Sequence, residues 1–146
     1  MKKFELTTEF ITNFLGTKLF RIKALVEFGK VEKGELGGFV EKEENLDHDG
    51  DAWVSGDAWV SGNAWVPGDQ MYATVKGFGS EYRNTTFFIT KDGNVCVNCG
   101  CFSGTLEQFR EKVEETHKDT KYAKEYLMIA DLMEMHFKEE LEKIKK

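Results

Sequence analysis

Gly50-Asp-Ala-Trp-Val-Ser55, Gly56-Asp-Ala-Trp-Val-Ser61 and Gly62-Asn-Ala-Trp-Val-Pro67 follow one another without a gap and run on into Gly68-Asp69. The repeat is six residues long, and Val54, Val60, Val66, Tyr72 and Phe78 keep the spacing. Gly and Asp/Asn tolerate turn conformations that other residues resist, so each hexad carries its own bend. The Val positions mark a face turned inward. Around the repeat the chain has 146 residues, 40% hydrophobic and 32% charged, with 12 Phe, enough to bury a core rather than stay disordered. Charge is uneven. Residues 1–30 carry six Lys/Arg against three Glu, whereas residues 31–70 carry two Lys against ten Asp/Glu. A net charge of -6 argues against a protein that coats duplex nucleic acid. No run approaches the roughly 18 apolar residues of a membrane span, and Met1-Lys-Lys-Phe-Glu-Leu-Thr-Thr-Glu-Phe10 has no apolar signal-peptide core. The expectation is a soluble intracellular protein with three reduced Cys.

An aliphatic residue followed four positions later by a small one, as in Val54/Ala58 and Val60/Ala64, resembles the hexapeptide signature of the left-handed parallel β-helix. In that fold three hexads complete one triangular coil, with Val inside and the small residue near the corner. So short an array needs stacked neighbours to bury a core. Val31 to Val40 is expected to form an irregular first coil, and Leu19 to Leu25 a strand capping it. Trp53, Trp59 and Trp65 are expected to point outward on three faces, covered by the termini or another subunit.

Beyond Phe78 the period changes. Thr85–Thr90 and Val95–Cys99 flank Lys91-Asp-Gly-Asn94, a strong hairpin signal. Thr105-Leu-Glu-Gln108 is a capping-box pattern opening a helix with Leu106, Phe109, Val113 and Thr116 on its apolar side. A break at Lys118-Asp119 leads to a second helix from about Lys121 toward Lys145. Its period runs through Tyr122, Tyr126, Ile129, Met133 and Phe137, with Leu132 and Leu141. Thr8 to Leu15 reads as a short helix closed by Gly16. The expected fold is mainly β with C-terminal α: an N-terminal cap over 1–30, a short left-handed parallel β-helix over 31–80, and a hairpin with two helices over 81–146.

Three chemistries compete. Cys96, Cys99 and Cys101 with downstream His117 could hold a metal, but a structural zinc site needs four convergent ligands, and strand Cys often serve as small hydrophobes. The bland reading wins, and no metal or cofactor is expected. Acyl transfer, known for hexapeptide enzymes, would need a His at a long groove. His48 stands just before the repeat, and the array is short. Phosphate binding is favoured by the three Arg, Arg21, Arg83 and Arg110, whose rigid fork matches phosphate geometry. The helix start after Thr105 suits an anion, and Phe88 and Phe102 offer faces for a base. Each of these residues taken singly is better explained by an ion pair or by core packing, and it is the cluster that points to phosphate.

Leu19-Phe-Arg-Ile-Lys-Ala-Leu25, Leu36-Gly-Gly-Phe-Val40, the hexads, Arg83-Asn-Thr-Thr-Phe-Phe88 and the module Cys99-Gly-Cys-Phe-Ser-Gly-Thr105…Thr116-His117…Tyr122–Tyr126 resemble small proteins of bacteriophages and prophages. The overall plan is similar to phage anti-defence sponge proteins of the anti-Thoeris and anti-CBASS type. The resemblance implies a non-enzymatic homo-oligomer, trimer or hexamer, in the cytoplasm of the infected host. It implies sequestration of a cyclic ADP-ribose derivative or cyclic oligonucleotide without cleavage. The ligand-binding residues expected on this reading are Arg21, Arg83 and Arg110 for phosphate, Phe88 and Phe102 for stacking, and Asn98 and His117 for polar contacts. Neither long nucleic acid nor a membrane is expected as a partner. The alternative is a structural or interaction protein with a trimeric β-helix.

Overall fold

The computed structural model describes residues 2–13, 15–48, 52–54, 58–62, 64, 72–78, 83–99 and 102–145. Among them the hexads do not build a β-helix. Among the described residues eight strands form two four-stranded sheets, and two helices follow. The first sheet has the order β1 (Phe4–Thr12), β2 (Lys18–Ala24), β3 (Leu36–Val40), β4 (Trp59–Val60). The second has the order β5 (Tyr72–Phe78), β6 (Arg83–Ile89), β7 (Val95–Cys99), β8 (Phe102–Thr105) and is antiparallel throughout. Helices α1 (Leu106–His117) and α2 (Lys121–Lys145) cover one face of the second sheet.

One parallel step survives from the expected coil: Phe39 and Val40 of β3 pair with Trp59 and Val60 of β4. In a solenoid the outer backbone groups of β4 would pair with another coil. Here side chains of the second sheet take them, and among the described residues no second parallel step follows. The apolar positions of the hexads keep their place all the same. Val54 and Val60 are fully buried, and Ala58 and Ala64 nearly so. Trp53 is buried and meets the Phe28 ring edge-on at 5.4 Å, which corrects the outward orientation. Trp59 is half-buried, whereas Trp65 and Val66 lie outside the described residues.

Gly37 and Gly38 let this packing happen. A Cβ on Gly37 would fall 2.5 Å from the Val54 carbonyl oxygen, and one on Gly38 2.6 Å from that of Ala58. Both stretches of backbone run directly over β3, and their carbonyls accept from the Gly38 and Phe39 N–H groups at 2.7 and 2.8 Å. Val31 to Val40 is thus a bridged turn and a strand rather than a coil. Leu19 to Leu25 supplies β2, hydrogen-bonded to β1 on one side and β3 on the other.

Thr8 to Leu15 is not a helix. Its first half completes β1, whose Phe10 pairs with Phe20 across the hairpin, and Gly16 (φ 86°) sits in the turn. Thr7, Thr8, Ile11 and Thr12 are β-branched and fit the extended backbone better than a helix.

The C-terminal half follows its local signals. Asp92-Gly93 turns β6 into β7, with Gly93 at φ 84°. Thr105 Oγ1 accepts from the Gln108 N–H at 3.2 Å, and Gln108 Oε1 accepts from the Thr105 N–H at 2.9 Å, closing the capping box. Leu106, Phe109 and Val113 are buried from α1, and Ala123, Tyr126, Ile129, Ala130, Met133 and Phe137 from α2. Thr116 and Leu132 are exposed, so neither belongs to the buried faces. Phe109 meets Phe87 and Tyr126 edge-on at 5.7 and 5.5 Å and ties the helices to the sheet. Among the described residues no helix is long and apolar enough to cross a membrane.

Candidate functional site

Side chains alternate across a strand, so β6, β7 and β8 each have a helix face and an opposite face. On the opposite face Thr86 and Asn98 are register partners, both within reach of β4. Among the described residues strand β4 has a strand neighbour, β3, on one side only, which leaves the N–H and C=O of Trp59 directed at the second sheet. Thr86 Oγ1 accepts from the Trp59 N–H at 2.9 Å. Asn98 Nδ2 donates to the Trp59 carbonyl at 3.1 Å and to Ser61 Oγ at 2.9 Å. Ser103 Oγ donates to Asn98 Oδ1 at 2.6 Å. Two side chains thus do the work of a neighbouring strand and satisfy buried peptide groups that would otherwise cost about 1–3 kcal/mol each.

Beside this tether lies an open cleft of about 330 Å³. Phe88 and Cys96 make its floor, and Ser61, Ser103 and Thr90 bring hydroxyls. The turn of the first hairpin closes one side through Asn13, Leu15 and Thr17, while Glu41 and Asp92 add carboxylates. Several of these groups retain hydrogen-bonding capacity. Ser61 Oγ accepts from Asn98 and keeps its own proton to donate; Ser103 spends its proton on Asn98 and keeps its lone pairs. Asn13 Oδ1 accepts from the Leu15 and Thr17 N–H groups, leaving Nδ2 unused. Among the described residues lining the cleft there is no Lys, Arg or His.

Cys96 reaches the cleft but is chemically quiet. Burial, with the Asp92 carboxylate adding to it, pushes its thiol up to about 11, so it stays protonated at neutral pH. A protonated thiol is a poor nucleophile and a poor metal ligand. Cys99 is buried three residues along the same strand, on the helix face. The two described Cys therefore point apart, and Cys101 lies outside the described residues. His48 has a structural post. Its Nδ1 accepts from the Lys3 N–H at 3.0 Å and its ring stacks on Phe4 at 4.3 Å, pinning the N-terminal segment.

No protein-family model, curated protein or solved structure matches this chain.

The seven residues expected to bind ligand do not converge. Phe88 and Asn98 line the cleft together, with Asn98 fully occupied as the tether. Phe102 is on the opposite face of the sheet, packed on Phe109 at 5.9 Å. His117 stacks on Tyr126 at the end of α1. Arg21 donates to Glu9 and to the Gly37 carbonyl and lies 4.3 Å over the Phe39 ring. Arg110 is held by Glu107, Asp131 and Glu134. Burial lowers the pKa of this guanidinium, but the hydrogen bonds it donates to Glu134, Asp131 and Glu107 outweigh that and raise it overall. Three carboxylates around one cation leave a negative surplus that repels phosphate. Arg83 opens β6 at the end away from Phe88 and Thr90, and its side chain lies outside the described residues.

Sequence reasoning missed Ser61, Ser103, Thr90 and Asp92. A signal was present: Thr86, Phe88 and Thr90 alternate with Thr85, Phe87 and Ile89, which puts two hydroxyls on one face of a buried strand.

Proposed function

We propose that this chain is a phage anti-defence binding protein that holds a cyclic nucleotide immune signal without cleaving it, gripping the ligand through ribose and base. It works in the cytoplasm of the infected host as a homo-oligomer. The observation that carries this reading is the chemistry of the cleft: the spare proton of Ser61, the spare lone pairs of Ser103, the Asn13 amide nitrogen and two carboxylates around an apolar floor. Carboxylates accept hydrogen bonds from ribose hydroxyls, Ser61 and Asn13 have donors for a base edge, and the floor offers apolar contact. Glu41 and Asp92 turn phosphates away, so these face solvent or a second subunit. A cyclic ADP-ribose derivative, with more sugar hydroxyls for each phosphate, suits such a cleft better than a cyclic oligonucleotide. The unreactive Cys96 thiol in the floor fits retention rather than turnover.

The test is retention and release. The protein is incubated with cyclic ADP-ribose isomers, cyclic dinucleotides and cyclic trinucleotides, washed, denatured, and the released material assayed. The expected result is intact cyclic ADP-ribose-type ligand, with retention weakened about tenfold or more by Asp92→Ala. Retention of no panel member overturns the reading in favour of a structural role. Retention indifferent to Asp92→Ala removes the cleft as its site.

A further inference from the structure

Helix α2 is apolar on two sides. One side is the buried face that packs on α1 and the second sheet. On the other, Met128, Leu132 and Met135 are 72, 50 and 67% exposed. Their spacing of four and then three residues draws one straight seam along a helix, the pattern by which two helices pair. At 3.6 residues per turn this seam lies on the side of α2 opposite Tyr126, Met133 and Phe137. It therefore takes no part in the fold of the single chain.

The ends of the seam carry opposite charges. Lys121 and Lys124 flank it at the N-terminal end of α2, and Glu139 and Glu142 at the C-terminal end. Two copies of α2 laid antiparallel about a twofold near Leu132 bring Met128 of each against Met135 of the other. The same placement sets Lys121 and Lys124 beside the second copy's Glu139 and Glu142, and Glu125 beside Lys138. A parallel pair would set each of these charges against its own copy and repel. A twofold contact is self-complementary, as this stripe is in the antiparallel sense only.

We infer that the exposed Met128-Leu132-Met135 stripe of α2 is a docking surface for a second copy of this chain, paired antiparallel about a twofold axis. The surface is distinct from the cleft, which stays open on the far side of the second sheet. The assembly consequently contains an even number of chains.

Sedimentation equilibrium of the full chain across roughly 1–500 µM reads this directly. The wild type is expected as a dimer or a higher even-numbered particle. Leu132→Glu weakens the contact about a hundredfold, because the twofold places both copies of the substitution in one interface, and the particle mass halves. Leu132 is exposed in the single chain, so circular dichroism should not change, and the melting temperature should match that of the wild type at the dilute, dissociated end of the range. Orientation is read by charge. Lys121→Glu with Lys124→Glu weakens association about tenfold, and adding Glu139→Lys with Glu142→Lys in the same chain restores it. A monomeric or odd-numbered wild type overturns the inference, as does a mass indifferent to Leu132→Glu. Failure of the fourfold exchange to restore association overturns the antiparallel arrangement.

Discussion

Replacing Gly37 by Ala tests whether residues 52–54 really lie across β3. Gly37 does not have a positive φ, so its backbone accommodates Ala without strain. The entire effect is what the new Cβ meets. It would stand 2.5 Å from the Val54 carbonyl oxygen, 2.7 Å from the Trp53 ring and 2.8 Å from the Ile22 side chain. Backbone on one side and fully buried side chains on the other leave no soft direction, so the overlying segment must retreat by about 0.5–1 Å. Overpacking of this kind costs about 1–3 kcal/mol. The retreat also stretches the 2.7 Å bond from the Gly38 N–H to the Val54 carbonyl, worth about 1 kcal/mol. Reduced freedom of the unfolded chain returns about 0.4–1 kcal/mol. The net loss is about 1–3.5 kcal/mol, or roughly 3–12 °C in melting temperature for a chain of this size. Urea denaturation followed by Trp fluorescence and circular dichroism gives the number. Gly34→Ala is the control: its φ of +90° is strained for Ala, but nothing lies within 4 Å of the new Cβ, so its loss is about 1 kcal/mol. A Gly37→Ala protein as stable as wild type, or a larger loss at Gly34, refutes the close approach.

Asn98→Ala removes three hydrogen bonds and strands the Trp59 carbonyl; a loss of about 2–4 kcal/mol is expected in denaturant titration, with ligand retention lost as well. Thr105→Ala opens the capping box of α1 and should cost about 1 kcal/mol, seen as a lower urea midpoint with an unchanged slope. Cys96 should resist iodoacetamide at pH 8 until the chain is unfolded, as followed by mass spectrometry. Its folded pKa of about 11 exceeds the ordinary thiol value of about 9, so the unfolded chain loses the proton first, and the Cys96 contribution to stability declines as pH rises from about 9 to 11. Cys96→Ala should flatten that decline.

Signals complete within a few residues were legible in the sequence. Asp92-Gly93 fixes a hairpin, Thr105 and Gln108 fix a helix start, and the apolar period of α2 fixes its buried face, all without reference to distant chain. The hexads misled for a physical reason. Six is an even number, so a six-residue repeat returns Val to the same face in any extended arrangement, stacked coils and flat sheet alike. Burial of Val54 and Val60 was therefore readable, but the pairing partner of β4 was not. That partner is set by Thr86 and Asn98, far along the chain. The Arg positions failed similarly. Glu107, three residues before Arg110, was a visible partner, but Asp131 and Glu134 reach it only once α2 folds back on α1. Of the expected site, Phe88 and Asn98 arrived at the cleft because their strand was read correctly, and strand parity put them on one face.

The proposed ribosyl nucleotide sits in the cleft beside the β4 tether, over Phe88 and Cys96 and next to the turn of the first hairpin. Hydrogen exchange with and without a cyclic ADP-ribose-type ligand measures this along the chain. The account predicts new protection in residues 58–62 and 90–98, with α1 and the Arg110 cluster unchanged. Protection centred on α1 and Arg110, or none anywhere, would contradict it.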